Sequence, residues 1–199
     1  IFDSQPGPTE ATPAETVAGL KLQLLTYLLA VEQEHPEEQL LPAALMYIYQ
    51  SGNVTKVDQV QPNGNVNLSE KDHASGYVLA DPSLLKSLDK DAGESDSCLP
   101  VRFTNDGSLH KGSASALTQE QFSALLTIVR KNILSLHSRM IAGDISICPA
   151  SYKGVTPCSY CPYHTICRFD PGREEESYDY VRLPSDSTLK KELEERAKE

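Results

Sequence analysis

GLKLQLLTYL, residues 19–28, contains a glutamine and a tyrosine within an apolar pattern of helical period. Gln23 and Tyr27 are four residues apart, so a helix places both side chains on one face. Their polar tips suit contact with a backbone phosphate or with a catalytic lysine. The structural alternative is a tyrosine ring in the core with the glutamine at its rim. The apolar positions recur at steps of three and four, namely Val17, Leu20, Leu24, Tyr27, Leu28 and Val31.

The signals around this stretch predict one helix from Pro13 to about His35. Residues 1–12 are rich in Pro, Ser, Thr and Gly, which predicts a mobile loop. Thr12 and Glu15 then form a capping box, with Pro13 at the first helical position. Pro36 disfavours helical geometry at the residue before it, so the helix should end there.

Shorter elements follow in the middle of the chain. The apolar, aromatic run from Ala43 to Tyr49 predicts a buried strand. Residues 54–68 predict further strand and turn structure, and Asp81 with Pro82 predicts a short helix through Leu88. The sequence Asn105-Asp106-Gly107 predicts a hairpin turn between residues 99–103 and 108–110.

A long helix is predicted from about Thr118 to Ala142, with Thr118 and Gln121 as a capping box and Gly143 at the stop position. Its continuous apolar stripe predicts core packing against a sheet. The stripe consists of Phe122, Leu125, Leu126, Val129, Ile133, Leu136 and Met140. The predicted fold class is therefore α/β, a small sheet with flanking helices.

The predicted organisation is one domain, residues 1–171, followed by a charged tail, residues 172–199. The domain includes a cysteine loop at residues 148–170. Within the tail, Leu189 and Leu193 allow one short amphipathic helix.

Three of the five cysteines lie close together, at Cys158, Cys161 and Cys167. This odd, clustered set is a poor disulfide framework and favours a zinc or iron–sulfur site in a reducing compartment. Such sites normally take four protein ligands. From the residues alone the fourth could be His164, Cys148 or a residue outside this sequence.

Composition excludes two classes of protein. Hydrophobic residues make up 39% of the 199 residues, too many for a wholly disordered chain. No apolar run approaches the roughly 18–20 residues that cross a bilayer, so no membrane association is expected. The formal net charge of −10 argues against DNA binding through a generally basic surface, although basic residues gather near the last cysteines.

The first residue is Ile1 and not methionine, so we expect the chain to be a piece of a longer polypeptide.

In order and spacing, these segments resemble a known family. The helix with Gln23 and Tyr27 is similar to the Q-x-x-x-Y helix of RecB-type nucleases in the PD-(D/E)XK, or restriction-endonuclease-like, superfamily. PAALMYIY (42–49), LPVRFTNDG (99–107), the long helix and TPCSYCPYHTICRFD (156–170) look like the end of the AddB and RexB family. The resemblance covers roughly residues 19–170 and implies that the chain is the C-terminal part of such a nuclease domain.

The resemblance implies a cytoplasmic, Mg²⁺-dependent exodeoxyribonuclease as the parent protein. With an AddA-like helicase–nuclease subunit, it would process double- and single-stranded DNA at breaks for recombination. In the family, the metal-binding acidic residues and a lysine lie just before the Q-x-x-x-Y helix, in an Asp followed by a D-Y-K-like segment. Here the acidic residues before Gly19 are Asp3, Glu10 and Glu15, and no lysine precedes Lys21. We therefore expect Gln23 and Tyr27 to be active-site accessories in a chain that lacks the catalytic strands and does not cut DNA alone.

The resemblance also implies a 4Fe–4S cluster in the parent, with one cysteine far upstream and three near the carboxyl end. Cys158, Cys161 and Cys167 match the latter three, whereas Cys98 and Cys148 match no family ligand. The cluster and the Mg²⁺ belong to the parent, and this chain alone need hold neither. The alternative is a non-catalytic zinc knuckle with His164 as fourth ligand, which would bind protein or nucleic acid.

Overall fold

The computed structural model describes most of the chain in two compact units. Unit 1 comprises Ile1–Lys131 with Ser185–Glu199, and unit 2 comprises Asn132–Pro184. The predicted elements at residues 54–68 and the thiol of Cys98 lie outside the described residues. The described residues are 1–5, 11–37, 40–49, 74–94, 97, 99, 101–110, 116–173 and 177–196.

A four-stranded mixed sheet forms the centre of unit 1. In the order β1-β2-β3-β4, β2 pairs in parallel with β1 and antiparallel with β3, and β3 pairs in parallel with β4. Flanking helices complete the predicted α/β class. The strands are β1 (Phe2–Gln5), β2 (Ala44–Tyr49), β3 (Ser75–Leu79) and β4 (Ala116–Leu117).

The prediction of a loop over residues 1–12 is wrong for Phe2–Gln5. These four residues form β1, in which Asp3 lies opposite Tyr47 of β2. The Met46 N–H donates to the Ile1 carbonyl at 3.0 Å, at the start of this pairing. Main-chain pairing with a strand far along the chain overrides the local composition.

The single helix predicted from Pro13 to His35 is two helices, α1 (Pro13–Val17) and α2 (Gln23–Glu34). The Thr12–Glu15 capping box is confirmed, with the Glu15 N–H donating to Thr12 Oγ1 at 3.3 Å. The break occurs because Gly19 adopts a φ of +82°, in the left-handed region that ends helices and favours glycine. The predicted end of α2 is confirmed, since His35 is its C-cap.

Two further helices begin and end as predicted. Helix α3 is Pro82–Leu88, capped by the Asp81 carboxylate, and α4 is Gln119–Ile141. The Thr118 capping box is confirmed by the Gln121 N–H, which donates to Thr118 Oγ1 at 3.3 Å.

Burial of the α4 stripe extends over only part of the helix. Phe122, Leu125 and Val129 are buried, but Leu136 is 47% exposed and Met140 is 75% exposed. The predicted core packing is therefore wrong at the carboxyl end of α4, which belongs to unit 2.

Unit 2 contains few regular elements after α4. Strands β5 (Ala150–Ser151) and β6 (Asp179–Tyr180) pair in parallel. A 3₁₀ helix, Pro157–Tyr160, and the one-turn helix α5, His164–Cys167, lie between them in sequence.

The carboxyl-terminal segment returns to unit 1 as α6 (Asp186–Arg196). Leu189 and Leu193 are 1% and 0% exposed, which confirms the short amphipathic helix predicted within the tail. Gln121 Nε2 donates to Glu194 Oε1 at 3.1 Å and joins α4 to α6. The boundary predicted at residue 171 between nuclease domain and tail stays a prediction.

Candidate functional site

Three polar side chains meet where β1 and α2 lie side by side. Gln23, the first residue of α2, donates from Nε2 to Asp3 Oδ2 at 3.0 Å. The same amide nitrogen donates to the Tyr27 hydroxyl at 2.8 Å, one helical turn further on. The Gln23–Tyr27 pair predicted from the sequence is thus formed, and it is joined to a carboxylate on the neighbouring strand.

Local structure fixes the start of α2 at Gln23. The Thr16 hydroxyl, which is fully buried, donates to the Lys21 carbonyl at 2.8 Å and closes the turn between α1 and α2. Leu24, Leu25 and Leu28 are buried on the inner side of the helix. Their burial holds the helix in place and leaves Gln23 and Tyr27 on the accessible side, with Tyr27 42% exposed.

Tyr47 lies beneath this group of side chains. It pairs with Asp3 across β1 and β2, and it is only 4% exposed. Burial raises the pKa of the Tyr47 phenol, and the nearby Asp3 carboxylate raises it further, whereas a hydrogen bond with the Leu24 backbone lowers it. Tyr47 therefore remains a neutral phenol that connects the sheet to the first turn of α2.

The site offers a carboxylate, an amide and a phenol to solvent. Mg²⁺ is usually held by one or two protein carboxylates, with waters and substrate phosphate oxygens completing its shell. Asp3, which is partly exposed, fits as one such ligand. Among the described residues no three His, Cys, Asp or Glu side chains gather to hold an ion, so the rest of a Mg²⁺ shell would come from elsewhere.

Sequence reasoning counted Asp3 among the acidic residues but did not assign it to the site. A four-residue strand shows too little alternation to stand out from a loop. Its partner strand β2 begins at Ala44, so the pairing has no local signal. The available clue was the position of Asp3, an acidic residue shortly upstream of a Q-x-x-x-Y helix.

The predicted metal ligands of unit 2 lie on short turns. Cys158 is in the 3₁₀ helix and Cys167 ends α5, while Cys161 lies between these two elements. All three are free thiols, with Cys158 and Cys161 partly exposed and Cys167 exposed. His164, at the start of α5, and Cys148 are both exposed.

Cysteine thiolates are suitable ligands for zinc and iron, but the ligand set in the cysteine loop is incomplete. Within the described part of the chain, these cysteines and His164 do not form a group of three or more that could hold an ion. The residues present therefore do not fit a complete cluster or zinc site by themselves.

Comparison with protein families identifies the superfamily of the chain. The model of the PD-(D/E)XK nuclease superfamily matches residues 4–168. The chain belongs to this superfamily. Nucleases of the superfamily typically use divalent metal ions. The predicted fold class, a mixed α/β nuclease domain, is confirmed.

Several relatives of this PD-(D/E)XK chain carry the same name, that of the B-type subunit of an ATP-dependent helicase/deoxyribonuclease. The protein from Clostridium novyi is 33% identical over 98% of this chain and 18% of its own length. Those from Alkaliphilus metalliredigens and Clostridium acetobutylicum are 31% and 32% identical over 96% and 98% of this chain, and 17% of their own lengths. The chain thus spans less than one fifth of the relatives that it matches.

A search of the helices in the described residues finds none with the length and apolar character needed to cross a bilayer.

Proposed function

We propose that the chain is a segment of the AddB-type subunit of an ATP-dependent helicase/deoxyribonuclease. In this role its nuclease domain hydrolyses phosphodiester bonds at DNA double-strand breaks during recombinational repair in the cytoplasm. The observation that carries the proposal is the Gln23 amide bonded to both Asp3 and Tyr27, in a chain that belongs to a nuclease superfamily. By the names of the relatives, the whole protein is one component of a complex, and an AddA-like helicase–nuclease is its proposed partner.

In this proposal Asp3 is one ligand of a catalytic Mg²⁺. When bound, Mg²⁺ supplies Lewis-acid activation of the phosphoryl group and of the attacking water. Gln23 holds the Asp3 carboxylate through Nε2, and Tyr27 holds the amide of Gln23 in turn. Both accessory side chains thereby limit the rotamers of the carboxylate before substrate arrives.

The lysine that the family resemblance implies has no counterpart here. The residues that follow Asp3 in β1 are Ser4 and Gln5, and no lysine precedes Lys21. The side chain of Gln5 is an uncharged amide, so it cannot provide the positive charge that a lysine would bring to the attacked phosphate. We therefore propose that this chain alone binds the cation weakly and does not cut DNA.

The role of Asp3 is tested by Mn²⁺ binding to the 199-residue chain, measured by electron paramagnetic resonance. Asp3→Asn should weaken binding at least about tenfold, because the only charged ligand in the group is lost. Asp179→Asn is the matched control, since Asp179 is an exposed strand aspartate in unit 2. Equal binding by the two variants would refute the assignment.

Cleavage is tested in a longer polypeptide, of the length of the relatives, that contains this segment. It should degrade linear DNA in Mg²⁺, and the substitution at Asp3 should abolish the cleavage contributed by this domain. Cleavage that persists in full would contradict the proposed function.

Cys158, Cys161 and Cys167 are proposed as three ligands of a 4Fe–4S cluster whose fourth cysteine lies upstream in the longer protein. Their close spacing in the sequence and their free thiols support this assignment. The longer polypeptide, purified without oxygen, should contain iron and acid-labile sulfide in equal amounts. Stoichiometric zinc without iron would instead favour a knuckle that includes His164.

A further inference from the structure

The first turn of α2 lacks the cap that a helix usually receives from its own sequence. Helices α1, α3 and α4 are capped by the side chains of Thr12, Asp81 and Thr118. Leu22, at the N-cap of α2, is apolar and makes no side-chain cap hydrogen bond. Its φ of −92° and ψ of −18° are those of helical backbone, whereas a capping residue is usually extended. The first N–H groups of a helix have no partner within it, so those of α2 need an acceptor from another part of the chain.

Tyr47 of β2 provides an acceptor for this turn. A hydrogen bond with the Leu24 backbone lowers the pKa of the Tyr47 phenol, which is the effect of an N–H that donates to the phenol oxygen. Leu24 is the second residue of α2 and directly follows Gln23. A buried strand residue thus caps α2 in place of the residue at its N-cap.

Tyr47 is also connected to Asp3. The two residues lie opposite each other in the parallel pairing of β1 and β2. Their side chains project from the same face of the sheet, and both reach the first turn of α2, where Asp3 accepts from Gln23 Nε2 at 3.0 Å. Tyr47 therefore links the strand that carries the carboxylate to the helix that carries the amide.

The hydrogen bonds of the site do not fix its geometry alone. Gln23 is exposed, and water competes for its bonds to Asp3 and to Tyr27. The position of its backbone must therefore be set from the buried side. We propose that Tyr47 is a positioning residue of the nuclease site, which fixes the first turn of α2 over β1 and β2 so that the Gln23 amide meets the Asp3 carboxylate. The proposal rests on the proposed function in taking this group of side chains as the nuclease site.

A purely structural role for Tyr47 is the alternative, and Tyr77 of β3 provides the comparison. Tyr77 is also a buried phenol, and its hydroxyl is bonded to the Thr16 hydroxyl and donates to the Thr12 carbonyl at 3.2 Å. These partners lie in and next to α1, outside the group formed by the other three polar side chains. Tyr77→Phe is therefore the matched control for Tyr47→Phe, because each variant removes one buried hydroxyl and keeps the ring.

The first test is ¹⁵N nuclear magnetic resonance of the Gln23 side-chain amide in the 199-residue chain, without metal. The signals are assigned by their loss in Gln23→Leu. In Tyr47→Phe they should move towards the shifts of a free glutamine, because the turn that carries Gln23 is no longer held against the sheet. In Tyr77→Phe they should stay where they are in the parent chain.

The second test measures function. Tyr47→Phe should weaken Mn²⁺ binding to the same chain by about two- to fivefold, the upper value being the factor for one net hydrogen bond. In the longer polypeptide that contains this segment, kcat for cleavage of linear DNA should fall by a similar factor. KM for the DNA should be unchanged, since Tyr47 is only 4% exposed and does not contact the substrate. Tyr77→Phe should change neither quantity.

The proposal is overturned if Tyr47→Phe leaves the Gln23 signals and Mn²⁺ affinity unchanged. It is also overturned if Tyr77→Phe causes the same changes, because they then follow from a general loss of stability. Failure of Tyr47→Phe to fold would overturn it as well, since the hydroxyl would then be a requirement of the whole core. Failure of the nuclease assignment is seen separately, in the Mn²⁺ binding of Asp3→Asn, whereas the Gln23 spectrum involves no metal and tests the positioning by itself.

Discussion

The Asp3–Gln23–Tyr27 site and the cysteine loop both present polar side chains to solvent, but they differ in what holds those side chains. At the unit 1 site each of the three side chains is hydrogen-bonded to another, and a buried helix face lies behind them. In the cysteine loop Cys158 and Cys167 lie on one-turn elements and Cys161 lies between them, and among the described residues they do not gather into a group of three that could hold an ion. The first arrangement is organised by hydrogen bonds and packing within unit 1, whereas the second has no comparable support among the described residues.

The largest expected effect is on the free energy of unfolding, and it concerns the buried face of α2 that lies behind the unit 1 site. Leu25→Ala removes a fully buried side chain from α2 and should lower the free energy of unfolding by about 2–5 kcal/mol. Leu134→Ala, at a position of α4 that is 57% exposed, should change it by less than about 0.5 kcal/mol. Urea denaturation followed by circular dichroism measures both, and equal losses would contradict the contrast in burial.

A smaller effect concerns alkaline stability. Tyr77 is fully buried and bonded to the Thr16 hydroxyl, and burial holds the pKa of its phenol far above the usual range. Below about pH 9 both the folded and unfolded states keep this proton, so it contributes no pH dependence. Above about pH 10 the unfolded chain releases the proton and the folded chain does not, so the free energy of unfolding falls as pH rises.

Tyr77→Phe should remove about 1.4 kcal/mol per pH unit from the slope of stability against pH between about pH 10 and 11.5. The level of stability at pH 7 will fall too, since the hydroxyl bonds are lost, so the slope is the diagnostic quantity. Denaturation midpoints across this pH range measure it. An unchanged slope would show that Tyr77 ionises as easily in the folded chain as in the unfolded one.

The smallest effect lies at the carboxyl end of α4. Hydrogen bonds from Ser146, and then Arg139 at 2.7 Å, hold the pKa of the Asp144 carboxyl well below its usual range. Asp144→Asn should therefore lower the melting temperature slightly at pH 7. The difference between the two proteins should shrink as pH falls below about 4, because the carboxylate contribution is lost on protonation. A difference that grows towards acid would contradict this account.

The sequence predicted the helix caps well, because each cap is formed by residues that are close neighbours in the chain. The capping boxes at Thr12 and Thr118 and the aspartate cap of α3 are confirmed. The break at Gly19 was missed, since the apolar period continues through it.

Features that depend on distant residues were not predictable in the same way. The pair Gln23–Tyr27 was found because both residues lie on one helix, but its bond to Asp3 joins residues 20 positions apart. The cysteines were recognised by spacing alone, and their ligand assignment stays a prediction. The exposed end of α4 could not be foreseen, because an apolar stripe does not specify which of its residues finds a partner.

The position of α6 in the chain has a practical consequence for protein engineering. Unit 1 is completed only by residues that follow unit 2, so the segment from Asn132 to Pro184 forms an insertion with both ends fixed in another unit. Truncation from the carboxyl end removes Leu193 and Leu189 from the unit 1 core before it reaches the first cysteine. Separating the two units therefore requires an internal deletion with a linker between α4 and α6. The length of this linker is not critical, because the entropy of closing a loop rises only slowly with its length.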